Sequence, residues 1–74
     1  MAIHRIKSLV TGTVWKIECQ AGQAAGEGDT LMILESMKME IPMEAPVAGT
    51  LKELLVAEGE SVTEGQVLAV WVSA

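Results

Sequence analysis

At 74 residues the chain has room for one small domain, and a chain of that size buries only about 60% of its unfolded surface. Half of its residues are hydrophobic, yet Phe and Tyr are absent, so the core is expected to be aliphatic with Trp15 and Trp71 as its large rings. Ten acidic against five basic side chains give a net charge of −5, which argues against a nucleic-acid partner because phosphate backbones need a basic stripe.

The first ten residues, MAIHRIKSLV, hold neither a long apolar run nor a cleavage site, so no secretory signal is expected. Nowhere does the chain approach the roughly 18 consecutive apolar residues of a membrane helix. Cys19 stands alone and cannot form an intramolecular disulfide, so a reducing, cytoplasmic compartment is the expectation.

From Val10 the elements follow in order. VTGT leads into TVWKIEC, a β-type segment, and AGQAAGEGD supplies glycine-bearing turns that suit φ > 0. TLMILE is a continuous apolar run of the kind found in strands buried in a small sandwich. MEIPMEAP alternates, with Met39, Ile41 and Met43 on one face and Glu40, Pro42 and Glu44 on the other. Pro42 cannot donate to a ladder, so that strand is expected at an edge or with its nitrogen side facing solvent. Then the pattern starts again: VAGT, the β-type TLKELLV, the polar turn AEGESVTEGQ, and the apolar VLAVWVS.

This second pass is an internal repeat. Placing Gly12 on Gly49, an offset of 37, puts Gly22 on Gly59, Gly28 on Gly65 and Leu31 on Leu68 without a gap. Hydrophobic positions keep step, Val14 over Leu51, Ile17 over Leu54, Cys19 over Val56 and Ile33 over Val70. Residues 1–74 are therefore expected to form one domain built from halves of about 1–37 and 38–74. The expected fold is all-β: eight short strands, four per half, in two four-stranded antiparallel sheets that form a flattened barrel or sandwich with pseudo-two-fold symmetry. A helix over LMILESMKME is the competing local reading, since Leu, Met, Glu and Lys form helices well. It lacks caps and a period of three to four residues, and its first part is the repeat mate of strand-like VLAVWVS.

The joint between the halves is the stretch Glu35-Ser36-Met37-Lys38-Met39-Glu40. LMILES and MEIPME must meet there as a hairpin with Met37-Lys38 at or next to the tip. Two-residue hairpins favour Asn-Gly or Asp-Gly, because both central residues need φ > 0, so Met-Lys is the wrong chemistry for this turn. Such local violations gather where function requires particular side chains. Lys38 is also the only positive charge between Lys16 and Lys52, among the acids Glu35, Glu40 and Glu44. A solubilising lysine on a solvated face is the plain alternative.

ESMKME resembles the attachment motif of biotinyl domains, Glu-Ala/Ser-Met-Lys-Met, and EAPVAGTL and EGESVTEGQVLAVW resemble the segments that follow it in that family. The likeness covers essentially the whole chain and is nearest to single-domain biotin carboxyl carrier proteins. The gapless repeat leaves no room for the extra "thumb" loop of some carrier domains. The resemblance implies that Lys38 is biotinylated by a biotin protein ligase using biotinyl-adenylate. Biotin on its flexible arm would then carry carboxyl groups from a biotin carboxylase to a carboxyltransferase. An alkyl ammonium is only about one part in a thousand neutral near pH 7.4, so the ligase is expected to supply the deprotonation. Met37 and Met39 are assigned to recognition by ligase and carboxylase, or to the sandwich edge. Glu35 and Glu40 are read either as ligase discriminants or as a solvated face. Cys19 is expected to be a small buried hydrophobe, and His4 is assigned nothing. No catalytic set, metal-ligand cluster or phosphate loop is present, so the chain is expected to be a carrier, not an enzyme, and monomeric in isolation.

The nearest rival is a lipoyl carrier, with the same fold and lysine position but usually Asp-Lys-Ala at the tip. An unmodified adaptor domain, which generally lacks the lysine, and a small nucleic-acid-binding barrel, disfavoured by charge, are the others.

Overall fold

The computed structural model describes residues 2–74. Its eight strands are β1 (Ile3–Lys7), β2 (Gly12–Ile17), β3 (Ala24–Ala25), β4 (Thr30–Ser36), β5 (Met39–Glu44), β6 (Gly49–Leu54), β7 (Ser61–Val62) and β8 (Val67–Ser73). They form two antiparallel four-stranded sheets, ordered β1-β8-β6-β3 and β5-β4-β2-β7. LMILESMKME is strand, turn and strand, as the repeat required. β5 is an edge strand, laddered to β4 on one side only, a position where proline is tolerated.

The starts of β2, β3 and β4 lie 37 residues before those of β6, β7 and β8. Replacing every strand in one sheet by its repeat mate generates the order of the other. Each sheet takes two strands from each half, so neither half can bury its apolar surface alone. The turns repeat as well: Gly22 and Gly59 have φ of 90° and 87°, Gly28 and Gly65 of 85° and 86°. At those values an L side chain is strained, whereas glycine is not.

The core follows the repeat residue by residue. Val14 and Leu51, Leu31 and Leu68, Ile6 and Met43, and Cys19 and Val56 are all buried. Where β4 places Met32 and Leu34, β8 places Ala69 and Trp71, and all four are buried. The small residue and the large one trade volume within one strand, which is how a close-packed interior accommodates an indole. Its N–H donates to the Val47 carbonyl at 2.9 Å, so the ring is buried without leaving a donor unpaired.

Trp15 is not in the core. It is 48% exposed, because the register of β2 against β4 shifts between Val14 and Lys16 and leaves Trp15 as the extra residue of a bulge. Val14 takes the inward position beside it. Composition alone counted two rings for the interior; the bulge sends one of them outward.

Candidate functional site: a lysine hairpin

β4 and β5 pair to the last residue, with Ser36 opposite Met39, so the connection is Met37-Lys38 alone. Both residues are left-handed, Met37 at φ 52° and Lys38 at φ 66°. That is the backbone a two-residue hairpin prefers, built here from two residues carrying a Cβ. The left-handed region costs a non-glycine residue roughly 1–2 kcal/mol, so the tip is held in place by its surroundings.

Two contacts supply that hold. The Ser36 hydroxyl donates to the Thr11 carbonyl at 3.0 Å, tying the hairpin base to the β1–β2 loop. Gly12 lies directly beneath the strand end, where a Cβ would overlap the Glu35 carbonyl oxygen. Its mate Gly49 sits in the same way against the Val72 carbonyl. Neither contact follows from the hairpin's own sequence; the repeated Gly-Thr pair was the available signal.

Ala2 and Ser73 meet at the end of the sheet away from the hairpin. Thr11, which holds Ser36, also accepts a hydrogen bond from the Glu64 amide at 3.0 Å, just before β8 begins. β8 then runs its seven residues away to Ser73, whose amide donates to Ala2. At the hairpin end, Met37 is 92% exposed and Met39 65%, and Lys38 is exposed between them. Neither methionine packs into the sandwich edge. Among the described residues no ion pair involves Lys38; Lys16 with Glu18, at 3.4 Å, is the pair formed. Glu35 and Glu40 stand directly opposite each other across the ladder, both exposed. Like charges in facing positions are unfavourable in a sheet, a second local cost in the same hairpin.

All five residues singled out in the sequence therefore share one hairpin end: Lys38 at the tip, Met37 and Met39 beside it, Glu35 and Glu40 below. His4 and Cys19 are elsewhere, His4 opposite Trp71 and Cys19 in the core. A hollow of about 670 Å³ opens between edge strands β1 and β5, lined by His4, Arg5, Lys7, Pro42 and Glu44 among others, with no residue of the hairpin tip. Among the described residues no group of three or more His, Cys, Asp or Glu could hold a metal ion. A rigid two-sheet domain with one amine at the end of a strained turn is built to present a group.

Comparison with known proteins agrees with this class. Residues 5–71 match the biotin/lipoyl family, described as biotin-requiring enzymes. The chain is 46% identical over 59 residues to the biotin/lipoyl attachment protein of Bacillus subtilis, spanning 80% of this chain and 81% of that one. It is 37% identical over 65 residues to the biotinylated protein TB7.3 homolog of Mycobacterium leprae, spanning 88% and 92%. It superposes with a TM-score of 0.92 and 29% identity on a single-chain, multi-domain long-chain acyl-CoA carboxylase, covering 97% of this chain and 7% of that one. The chain belongs to the biotin/lipoyl attachment family.

Proposed function

We propose that the chain is a biotin carrier of a biotin-dependent carboxylase system, with Lys38 as the attachment residue and a biotin protein ligase as the enzyme that loads it. The observation that carries this reading is the exposed Lys38 on a strained two-residue turn, between two exposed methionines, in a chain of this family.

In the loading step the Lys38 Nζ attacks the acyl carbon of biotinyl-adenylate. An amide bond forms, the acyl–phosphate bond breaks, AMP leaves with the bonding pair, and the Lys38 ammonium gives up two of its three protons to the ligase and solvent. The product amide is neutral, so the formal charge of the chain goes from −5 to −6. When attached, biotin supplies a ring nitrogen that takes up a carboxyl group at a biotin carboxylase and releases it at a carboxyltransferase. The residues present fit that cargo: the amine points into open solvent, with no wall to exclude a bulky acyl group.

The chain itself contributes position. The tip is seated on Gly12 and tied through Ser36, while the lysine side chain and the arm beyond it have many rotatable bonds. A tethered group held this way meets its target at an effective concentration in the millimolar range for short flexible links. Met37 and Met39 present soft, adaptable apolar surface to whichever enzyme encloses the tip, and Glu35 and Glu40 offer it paired negative charge.

Co-expression with a biotin protein ligase tests this. Intact mass should rise by one biotinyl group and the product should bind streptavidin, while Lys38→Arg should do neither. An unmodified wild-type chain overturns the assignment. A lipoyl increment in a cell that makes both cofactors replaces biotin by its nearest alternative.

A further inference from the structure

The two sheets share one backbone plan, so each acts as an internal control for the other. In the hairpin sheet, alternate rows point away from the core: Thr13, Glu35 and Glu40 form one, and Lys16, Ile33 and Pro42 the next, with Trp15 on the bulge between them and Glu44 beyond. The mates in the other sheet are Thr50, Val72 and Ile3, then Glu53, Val70 and Arg5, with Lys52 on the bulge and Lys7 beyond. The two faces are thus opposite in charge, though both carry apolar side chains, the other face through Ile3, Val70 and Val72. The hairpin face sets Trp15, Ile33 and Pro42 among Glu35, Glu40 and Glu44, with Lys16 as its cation, a formal −2. The other face carries Arg5, Lys7 and Lys52 against Glu53, a formal +2.

Folding asks for neither pattern. Lys52 fills the bulge of β6 in the same geometry that holds Trp15 in β2, so the bulge does not need an indole. Trp15 nonetheless leaves 48% of its surface in water. Tryptophan is the residue type most enriched at the energetic centres of interfaces.

Reach points the same way. The Lys16–Ile33 row lies two residues from Glu35, and Glu35 lies three from Lys38, so at about 3.3 Å per residue Trp15 is roughly 15 Å from the tip. A standard interface of about 800 Å² per partner is roughly 30 Å across. An enzyme that encloses Lys38 therefore covers part of one sheet face as well.

We propose that the outer face of the hairpin sheet, centred on Trp15 and Ile33 and bordered by Glu35, Glu40 and Glu44, is the docking surface for the ligase that acylates Lys38. The complementary surface is an apolar hollow with an arginine- and lysine-bearing rim: the acids here border the hydrophobic centre, and such a rim speeds encounter with an acidic partner. This rests on the reading of Lys38 as the attachment lysine.

The test uses initial rates of biotin incorporation by purified biotin protein ligase, with the apo chain as the varied substrate. Trp15→Lys installs the residue that the fold already accepts at Lys52, and Lys52→Trp makes the reverse change on the far face. Pro42→Arg, which copies Arg5, is a second probe of the hairpin face at an edge position. Trp15→Lys and Pro42→Arg should each raise KM by roughly tenfold or more with kcat within about twofold, the size of change expected for losing an interfacial anchor. Lys52→Trp should leave both constants unchanged, and the wild-type KM should rise with salt. An unchanged KM in both hairpin-face variants, or an equal rise in Lys52→Trp, overturns the docking surface while biotinylation of the wild type stands. Absence of biotin incorporation in the wild type overturns the attachment reading itself, and the docking surface with it.

Discussion

Met37 and Lys38 hold φ of 52° and 66°, and among the described residues the others with positive φ are all glycines. The cost is local and so is its relief. Replacing the pair by Asn-Gly, the residues this turn prefers, should raise stability by about 1–3 kcal/mol in denaturant titration and abolish modification at the same time. A gain in stability with loss of cargo is the mark of a residue kept for function. Cys19 is the other residue with a distinct expectation. Burial pushes its thiol above the ordinary value of 9.0. The unfolded chain therefore ionises first: stability is complete below that value and declines as pH rises through it. Cys19→Val, which copies Val56, should flatten that alkaline decline in melting experiments across pH 8–10, the range flanking an ordinary thiol, about 8.5–9. Of these residues Lys38 stood out in the sequence by its turn chemistry, and the resemblance to the attachment motif made it the candidate. Trp15 was misjudged because its outward turn depends on a bulge, a feature of pairing that hydrophobicity does not record.

Among the elements, the eight strands and their division into two four-stranded sheets were legible because two gapless copies had to use the same pieces, and VLAVWVS settled the reading of LMILES as strand; the order within each sheet was not. What escaped was the seat of the hairpin. Gly12 and Gly49 were visible as a repeat but not as points where one strand presses on another's carbonyl. Their neighbours in the turns differ in kind: at Gly22 a Cβ would meet nothing within 4 Å, and only its φ of 90° resists substitution. Gly22→Ala should therefore cost about 1–2 kcal/mol, from conformation alone. Gly12→Ala and Gly49→Ala must displace backbone, and should cost more than Gly22→Ala, on the order of 2–3 kcal/mol. Gly12→Ala should in addition slow biotinylation, because it lifts the base of the hairpin, whereas Gly49→Ala acts at the end where Ser73 meets Ala2. Thermal melts and ligase rates on the three variants separate these effects.

For the whole molecule, two halves that exchange strands share one core, and an end that carries Lys38 lies opposite the end where Ser73 meets Ala2. The pseudo-symmetry makes the departures from it informative. Leu34 and Trp71 differ because the core trades volume along a strand, and Trp15 and Lys52 differ on faces that no packing demand distinguishes. The symmetry could be read from spacing; the charge difference between the faces needed the register, since it depends on which alternate residues point outward. The proposed attachment point is one amine, at the joint of the two halves. The most direct measurement is peptide mapping by mass spectrometry after co-expression with a biotin protein ligase. The biotinyl group should be found on the peptide containing Lys38 and nowhere else, with no label in Lys38→Arg. Label shared with Lys7, Lys16 or Lys52, or persisting in Lys38→Arg, would contradict it.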